Sequence, residues 1–227
     1  MKDVTQLRKE AEFMDIPINV RVHCSDGLAG HSSCIIVNPL TRTVTHFVLR
    51  PRSILDVEKL VPVALIKESN PDMILLRCSL SEIVNLDSFN KGHFLGYEVD
   101  DPSLGDDSDS KYTPGRIMAW PYSAVAGYGY SSPITAYVVE EQIPIDECPI
   151  HRGADVEATD GWVGRVYEFL VNPESSAITH LVLRENHFWN NKSVTIPVSQ
   201  IKTIETDRVY LKLDREAVKN LTHLPVH

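Results

Sequence analysis

The chain has 227 residues, 43% of them hydrophobic, enough to build a core and too many for global disorder. Its formal charge is −9, from 22 basic and 31 acidic side chains, which opposes the broad, phosphate-driven nucleic-acid binding that a basic surface supports. No apolar run reaches the roughly 18 residues of a membrane span. Met1-Lys2-Asp3-Val4 opens no apolar signal segment, and the four cysteines (Cys24, Cys34, Cys78, Cys148) lack paired spacing, so free thiols and a cytoplasmic setting are expected.

In chain order, Thr5 to Phe13 suits a short helix with Thr5 as N-cap, so residues 1–15 read as a helical leader ended by Pro17. Val20 and Val22 then alternate with polar residues ahead of Asp26-Gly27 and Gly30, a hairpin signal, because glycine takes positive φ without penalty. Ser33 to Val37 returns into Asn38-Pro39. Proline presets φ at a turn and asparagine accepts backbone hydrogen bonds, so Thr43 to Arg50 is read as the next strand. Lys59 to Ile66 follows as another strand, with Pro62 at an edge or a strand start. Met73 to Leu76 is a further strand, and a helical turn over Ser81 to Leu86, capped by Ser79 or Ser81, closes the block over residues 16–92.

Residues 93–142 differ, with eight acidic residues against two basic ones. An Asp- and Ser-rich run precedes a stretch holding Trp120, Tyr122, Tyr128 and Tyr130 among prolines and glycines. It is expected to be an irregular linker, its aromatics docked on the protein's own barrels or used for self-association or partner binding.

Residues 143–227 repeat the first block. Val37 to Arg50 and Val171 to Arg184 lie 134 positions apart and agree at 8 of 14 positions, including Asn172, Pro173, His180 and Arg184. Asp160, Gly161 and Gly164 answer Asp26, Gly27 and Gly30 at the same offset, and Pro197 answers Pro62 at 135. Many short strands divided by turns indicate an all-β fold of two small β-barrels in tandem, each with a short closing helix.

The order Asp-Gly-x-x-Gly, Val-Asn-Pro, Thr-His-x-Val-Leu-Arg, then Ile196-Pro197-Val198-Ser199 resembles the PRC-barrel family. The second block is the closer match, since the first reads Val61-Pro62-Val63-Ala64 at the last motif. Relatives of that family include the cytoplasmic domain of the photosynthetic reaction-centre H subunit and the C-terminal domain of a ribosome-maturation factor; the tandem form looks like bacterial stand-alone proteins. The resemblance implies assembly and macromolecular contact rather than catalysis; no cofactor is expected, and self-association or another protein is the expected partner. An RNA-processing role rests on one relative and is opposed by charge.

His46 with Arg50, and His180 with Arg184, are the repeated candidates for chemistry. On a strand they share the face opposite Phe47 and Leu49, which fill the barrel. They are read either as packed against a neighbouring turn or the other barrel, or as a paired anion contact between the barrels. Packing is preferred, because no carboxylate is at hand in sequence to orient a base. The intervening Val48 and Val182 suggest a covered surface, where an inter-barrel contact is expected. Cys148 and His151 have a zinc-like gap but no second pair, so no metal is expected. Asp26 and Asp160 are assigned to turn geometry. Phe188 and Trp189 are read as a contact point or as a cover for the barrel end.

Overall fold

A computed structural model describes residues 13–52, 57–95, 112–122, 135–184, 193–221 and 223–224; at 93–95, 112–122, 135–137, 193 and 223–224 it describes the backbone alone. The expected leader helix lies outside these residues, apart from its last positions. Met14–Pro17 form a strand, β1, so Met14 and Asp15 depart from the helical reading.

The first block contributes β2 (Arg21–Cys24), β3 (Gly27–Asn38), β4 (Thr43–Pro51), β5 (Lys59–Pro62), β6 (Ile66–Asn70), β7 (Met73–Leu76) and helix α1 (Leu80–Val84). Its sheet runs β5-β4-β3-β2-β7-β6. The two edge strands, β5 and β6, are joined by only the 3-10 turn Val63–Leu65. A three-residue connection reaches across the sheet only if the sheet curls until its edges approach. The expected single strand from Lys59 to Ile66 is therefore two strands with a corner. Pro62 ends the first of them, where its missing N–H costs no ladder bond.

After the first block come β8 (Asn90–Leu95), β9 (Tyr112–Tyr122), β10 (Thr135–Pro144) and β11 (Cys148–His151). The second block then adds β12 (Asp155–Ala158), β13 (Gly161–Val171), β14 (Ile178–Arg184), β15 (Ser193–Pro197), β16 (Ile201–Glu205), β17 (Arg208–Leu211), helix α2 (Arg215–Lys219) and β18 (His223–Leu224). Its sheet runs β16-β17-β12-β13-β14-β15-β18, and the turn Val198–Gln200 brings β15 to β16 just as in the first block.

The two blocks exchange a strand. β1 stands at the head of the first block but pairs with β13 of the second, Ile16 opposite Phe169. β11 stands at the head of the second block but pairs with β3 of the first, Ile150 opposite Ile35. Both pairings obey the 134-residue offset, so the exchange is reciprocal about a pseudo-twofold axis. That axis passes through an antiparallel bridge between Thr43 and its own equivalent, Ala177. Val44 N–H donates to Ser176 O at 3.0 Å and Ile178 N–H to Arg42 O at 2.8 Å. Arg42 and Ser176 both take φ of 55°, the left-handed conformation needed to turn the chain back beside the axis.

One continuous apolar core results. Ile16, Ile35, Phe47, Ile74, Ile150, Phe169, Leu181, Ile196 and Val209 belong to a single cluster, every one of them at 0% exposure. The division at residue 143 is thus a division of sequence, with no matching break in the core.

Residues 93–142 are not wholly irregular: β8, β10 and β9 form an antiparallel three-stranded sheet. Its approach buries the outer face of the first block, where Cys34, Ile36, Val48 and Leu60 cluster with Phe89 and Ile143. The surface at Val48 is covered, by Phe89 just before β8 and by Ile143 on β10 of the third sheet. Trp120 and Tyr122 lie on β9, opposite Tyr137 and Thr135.

Candidate functional site

The repeated turns are built as their residues dictate. Asn38 Oδ1 accepts from the N–H groups of Leu40 and Thr41, both at 3.0 Å, and Asn172 Oδ1 accepts from Glu174 and Ser175 at 2.9 and 3.0 Å, with Pro39 and Pro173 inside the two turns. Asp26 and Asp160 do more than shape a hairpin. Asp26 Oδ1 accepts from the first N–H of α1, on Leu80, at 2.9 Å, and Asp160 Oδ1 from that of α2, on Arg215, at 2.9 Å. Each ties a hairpin to its closing helix across more than 50 residues. Gly27 and Gly161 open β3 and β13. Gly30 and Gly164 lie within those strands, beside bulges, rather than in turns. A Cβ on Gly30 would stand 2.0 Å from the Arg50 carbonyl oxygen, so only glycine lets β3 approach β4 there. Asp26→Ala and Asp160→Ala are each expected to lower stability by about 1 kcal/mol, as loss of a helix cap does, measured by urea unfolding.

The two histidines sit apart from each other. His46 is half-buried, with Nδ1 3.0 Å from Thr45 Oγ1 and 3.9 Å from Glu147 Oε2, while Thr45 donates to that carboxylate at 2.7 Å. His180 meets the edge of Phe13 at a ring distance of 5.4 Å, and its buried Nδ1 finds no hydrogen-bond partner among the described residues. Burial lowers its pKa, so it stays neutral. Both rings are partly buried. Phe188, Trp189, Tyr128 and Tyr130 lie outside the described residues.

The arginines of the same motifs are placed differently. Arg184 lies over the ring of Tyr167, 4.3 Å from its centroid, with a buried Nε that has no acceptor among the described residues. It lines a cleft of about 350 Å³ with Arg152, Arg165, Tyr167 and residues 18–20. A second cleft, of about 590 Å³, shares Asn19, Val20 and Tyr167 with the first and adds Arg21, His31, Arg50 and Asp72. The two form one groove. Its shared wall is the crossover from β1, docked on the second block, to β2, in the first, so the strand exchange builds the groove. Five arginines line it against one carboxylate, in a chain of formal charge −9. Arg50 Nε donates to Glu58 Oε1 at 2.6 Å. Arg21, Arg152, Arg165 and Arg184 make no ion pair among the described residues. Arg50 and Arg184 belong to the repeated sequence motif; Arg21, Arg152 and Arg165 do not, though Arg165 answers His31 at the repeat offset.

A second polar cluster forms around His151, which the sequence offers only as half of a zinc-like pair with Cys148. His151 Nδ1 is 2.8 Å from Asp207 Oδ1 and Nε2 is 3.1 Å from Glu141 Oε1, with the three side chains 16%, 31% and 6% exposed. Cys34 faces His151 across the β3–β11 pair. Burial alone lowers the pKa of His151, but hydrogen bonds to Asp207, Cys34 and Glu141 outweigh it and push the imidazolium up to about 12. As an imidazolium it donates from both ring nitrogens and keeps no lone pair to take a proton from Cys34. Burial also raises the Cys34 thiol, which leaves it protonated and a poor nucleophile. The position equivalent to His151 in the first block is Pro17, so this clamp belongs to one block only.

Among the described residues no group of His, Cys, Asp and Glu side chains gathers to hold a metal ion, and no helix is long and apolar enough to cross a membrane. No protein-family model matches the chain and no curated protein matches it significantly, so the likeness to PRC barrels rests on the motifs alone.

Proposed function

We propose that this chain is a non-catalytic binding protein, built on two barrels of the PRC type and working in the cytoplasm, that holds an anionic ligand in its arginine-lined groove. The groove carries the reading. Four guanidinium groups that make no ion pair among the described residues line a concave surface, where an anion gains charge-assisted, bidentate hydrogen bonds. In a chain that is acidic overall, the concave site focuses positive potential where a small anion can enter. The clamped His151 and the protonated Cys34 favour binding over catalysis.

Thermal-shift measurements at constant ionic strength test this. Inorganic phosphate or citrate is expected to raise the melting temperature above a chloride control, and Arg165→Glu with Arg184→Glu to abolish the rise. A wild-type chain that no anion stabilises would overturn the reading.

An assembly role, through self-association or docking of another protein, is the second reading. It is favoured by β9, whose outer edge pairs with no strand among the described residues and so presents unpaired backbone groups to a partner. Light scattering coupled to size exclusion tests the self-association form: a particle larger than the 25.5 kDa chain supports it, and a monomer at high concentration opposes it.

A further inference from the structure

The two halves of the groove share one repeated feature, a cross-strand basic pair. Arg165 and Arg184 are cross-strand partners in the β13–β14 pair. At the repeat offset, His31 and Arg50 are cross-strand partners in the β3–β4 pair. Partners in such a pair lie about 5 Å apart, close enough for two side chains to grip one tetrahedral anion. Each block therefore offers a basic pair at the same place, and the exchange brings the two pairs to a common wall made by Asn19, Val20 and Tyr167. The first cleft also contains Gly153, the equivalent of Asn19, with positive φ at both positions (87° and 70°). The two crossovers thus meet at the pseudo-twofold axis, and the groove straddles it.

We propose that the groove is a bipartite site for a compact organic bisphosphate. One phosphate sits with Arg152, Arg165 and Arg184, the other with Arg21, His31 and Arg50, and the linking carbon skeleton crosses the shared wall. Three guanidinium groups in the first cleft exceed what a single carboxylate neutralises and match a phosphate dianion. The stacking on Tyr167 fixes the plane of Arg184, so less freedom is lost when it binds. In the second cleft Arg50 spends its Nε–H on Glu58 and keeps its other donors. Asp72, the single carboxylate there, suits a ligand hydroxyl and disfavours a second fully ionic contact, so the second half is the weaker. The cleft volumes suit a small molecule, and the charge of the rest of the chain opposes an extended polyanion.

This inference rests on the anion-binding reading above, and one titration separates the two. The full-length protein is titrated calorimetrically with inorganic phosphate and with fructose 1,6-bisphosphate at fixed ionic strength. Joining two anionic groups makes the second contact intramolecular, so the bisphosphate is expected to bind about 100-fold tighter than phosphate. Arg50→Ala is expected to erase most of that advantage, and Arg184→Ala to weaken both ligands. Lys67→Ala, an exposed change on β6 outside the groove, is expected to leave both affinities as they are. Should Arg184→Ala fail to fold, Arg165→Ala, whose exposed side chain makes no ion pair among the described residues, replaces it. Binding of both ligands with equal affinity, or a bisphosphate advantage that survives Arg50→Ala, would overturn the bipartite site and leave the anion-binding reading standing. Absence of binding by either ligand would overturn both.

Discussion

Replacing His151 by alanine is expected to lower stability by about 3 kcal/mol, because it removes the cation that lies between two carboxylates, one of them buried. Glu141 is only 6% exposed, and its charge is compensated by the imidazolium between it and Asp207. Removing one partner of a buried pair costs more than the pair contributes, since the survivor keeps its desolvation penalty. For a domain of this size the loss corresponds to a fall of roughly 6–12 °C in melting temperature. The clamp also holds the turn that follows β16: the Asp207 carboxylate accepts from the backbone N–H of His151 at 2.7 Å, and Asp207 N–H donates to Pro149 O at 3.0 Å. Glu141 comes from β10, so the same ring ties the third sheet to the frame.

The pH dependence of this effect has a defined sign. His151 titrates near the ordinary histidine value, about 6.5, when unfolded and near 12 when folded. Its contribution is therefore complete below about pH 6.5 and declines as pH rises toward 12, because over that window only the folded state keeps the proton. The gap in stability between wild type and His151→Ala, measured by urea unfolding, is expected to narrow from pH 6.5 to pH 10. A gap that widens over this range would show that the ring is not held as an imidazolium.

Ile16→Ala and Ile150→Ala are each expected to cost about 2–5 kcal/mol, the range for emptying a fully buried aliphatic site. Both side chains are at 0% exposure in the shared core. What sets them apart from ordinary core positions is where the damage falls. Ile16 packs into the block that it does not precede, opposite Phe169, and Ile150 does the same opposite Ile35. Each variant is expected to unfold in one transition at a lower denaturant concentration, with tryptophan fluorescence and far-ultraviolet dichroism coincident. Two separated transitions would mean that the blocks fold independently.

Much of the frame is legible in the residues themselves. The alternation of Phe47 and Leu49 against His46, Val48 and Arg50 assigns inner and outer faces, and Asn38 and Asn172 announce their turns. These signals are local, within a few residues of the backbone they shape. The strand exchange is not local. Met14-Asp15-Ile16-Pro17 is too short to show a period, and nothing in it says which of two similar partners, β3 or β13, it will join. The third sheet is obscured by Pro114, Gly115 and Pro121, which weaken any strand reading of β9, and by the acidic run before it. The groove gathers arginines from positions 21, 50, 152, 165 and 184, which only the folded chain makes neighbours. His151 has a trace in sequence, because it breaks the repeat where the first block has proline. Its partners Glu141 and Asp207 carry no such mark.

The reciprocal exchange underlies both the single core and the groove, and hydrogen exchange tests it most directly. Amide exchange would be followed peptide by peptide in wild type and in Ile150→Ala. If β11 is seated in the first block, the substitution is expected to accelerate exchange in β3 and β4, distant in sequence, along with the rest of the shared core. Acceleration confined to residues 155–221, with residues 21–76 unchanged, would contradict the exchange.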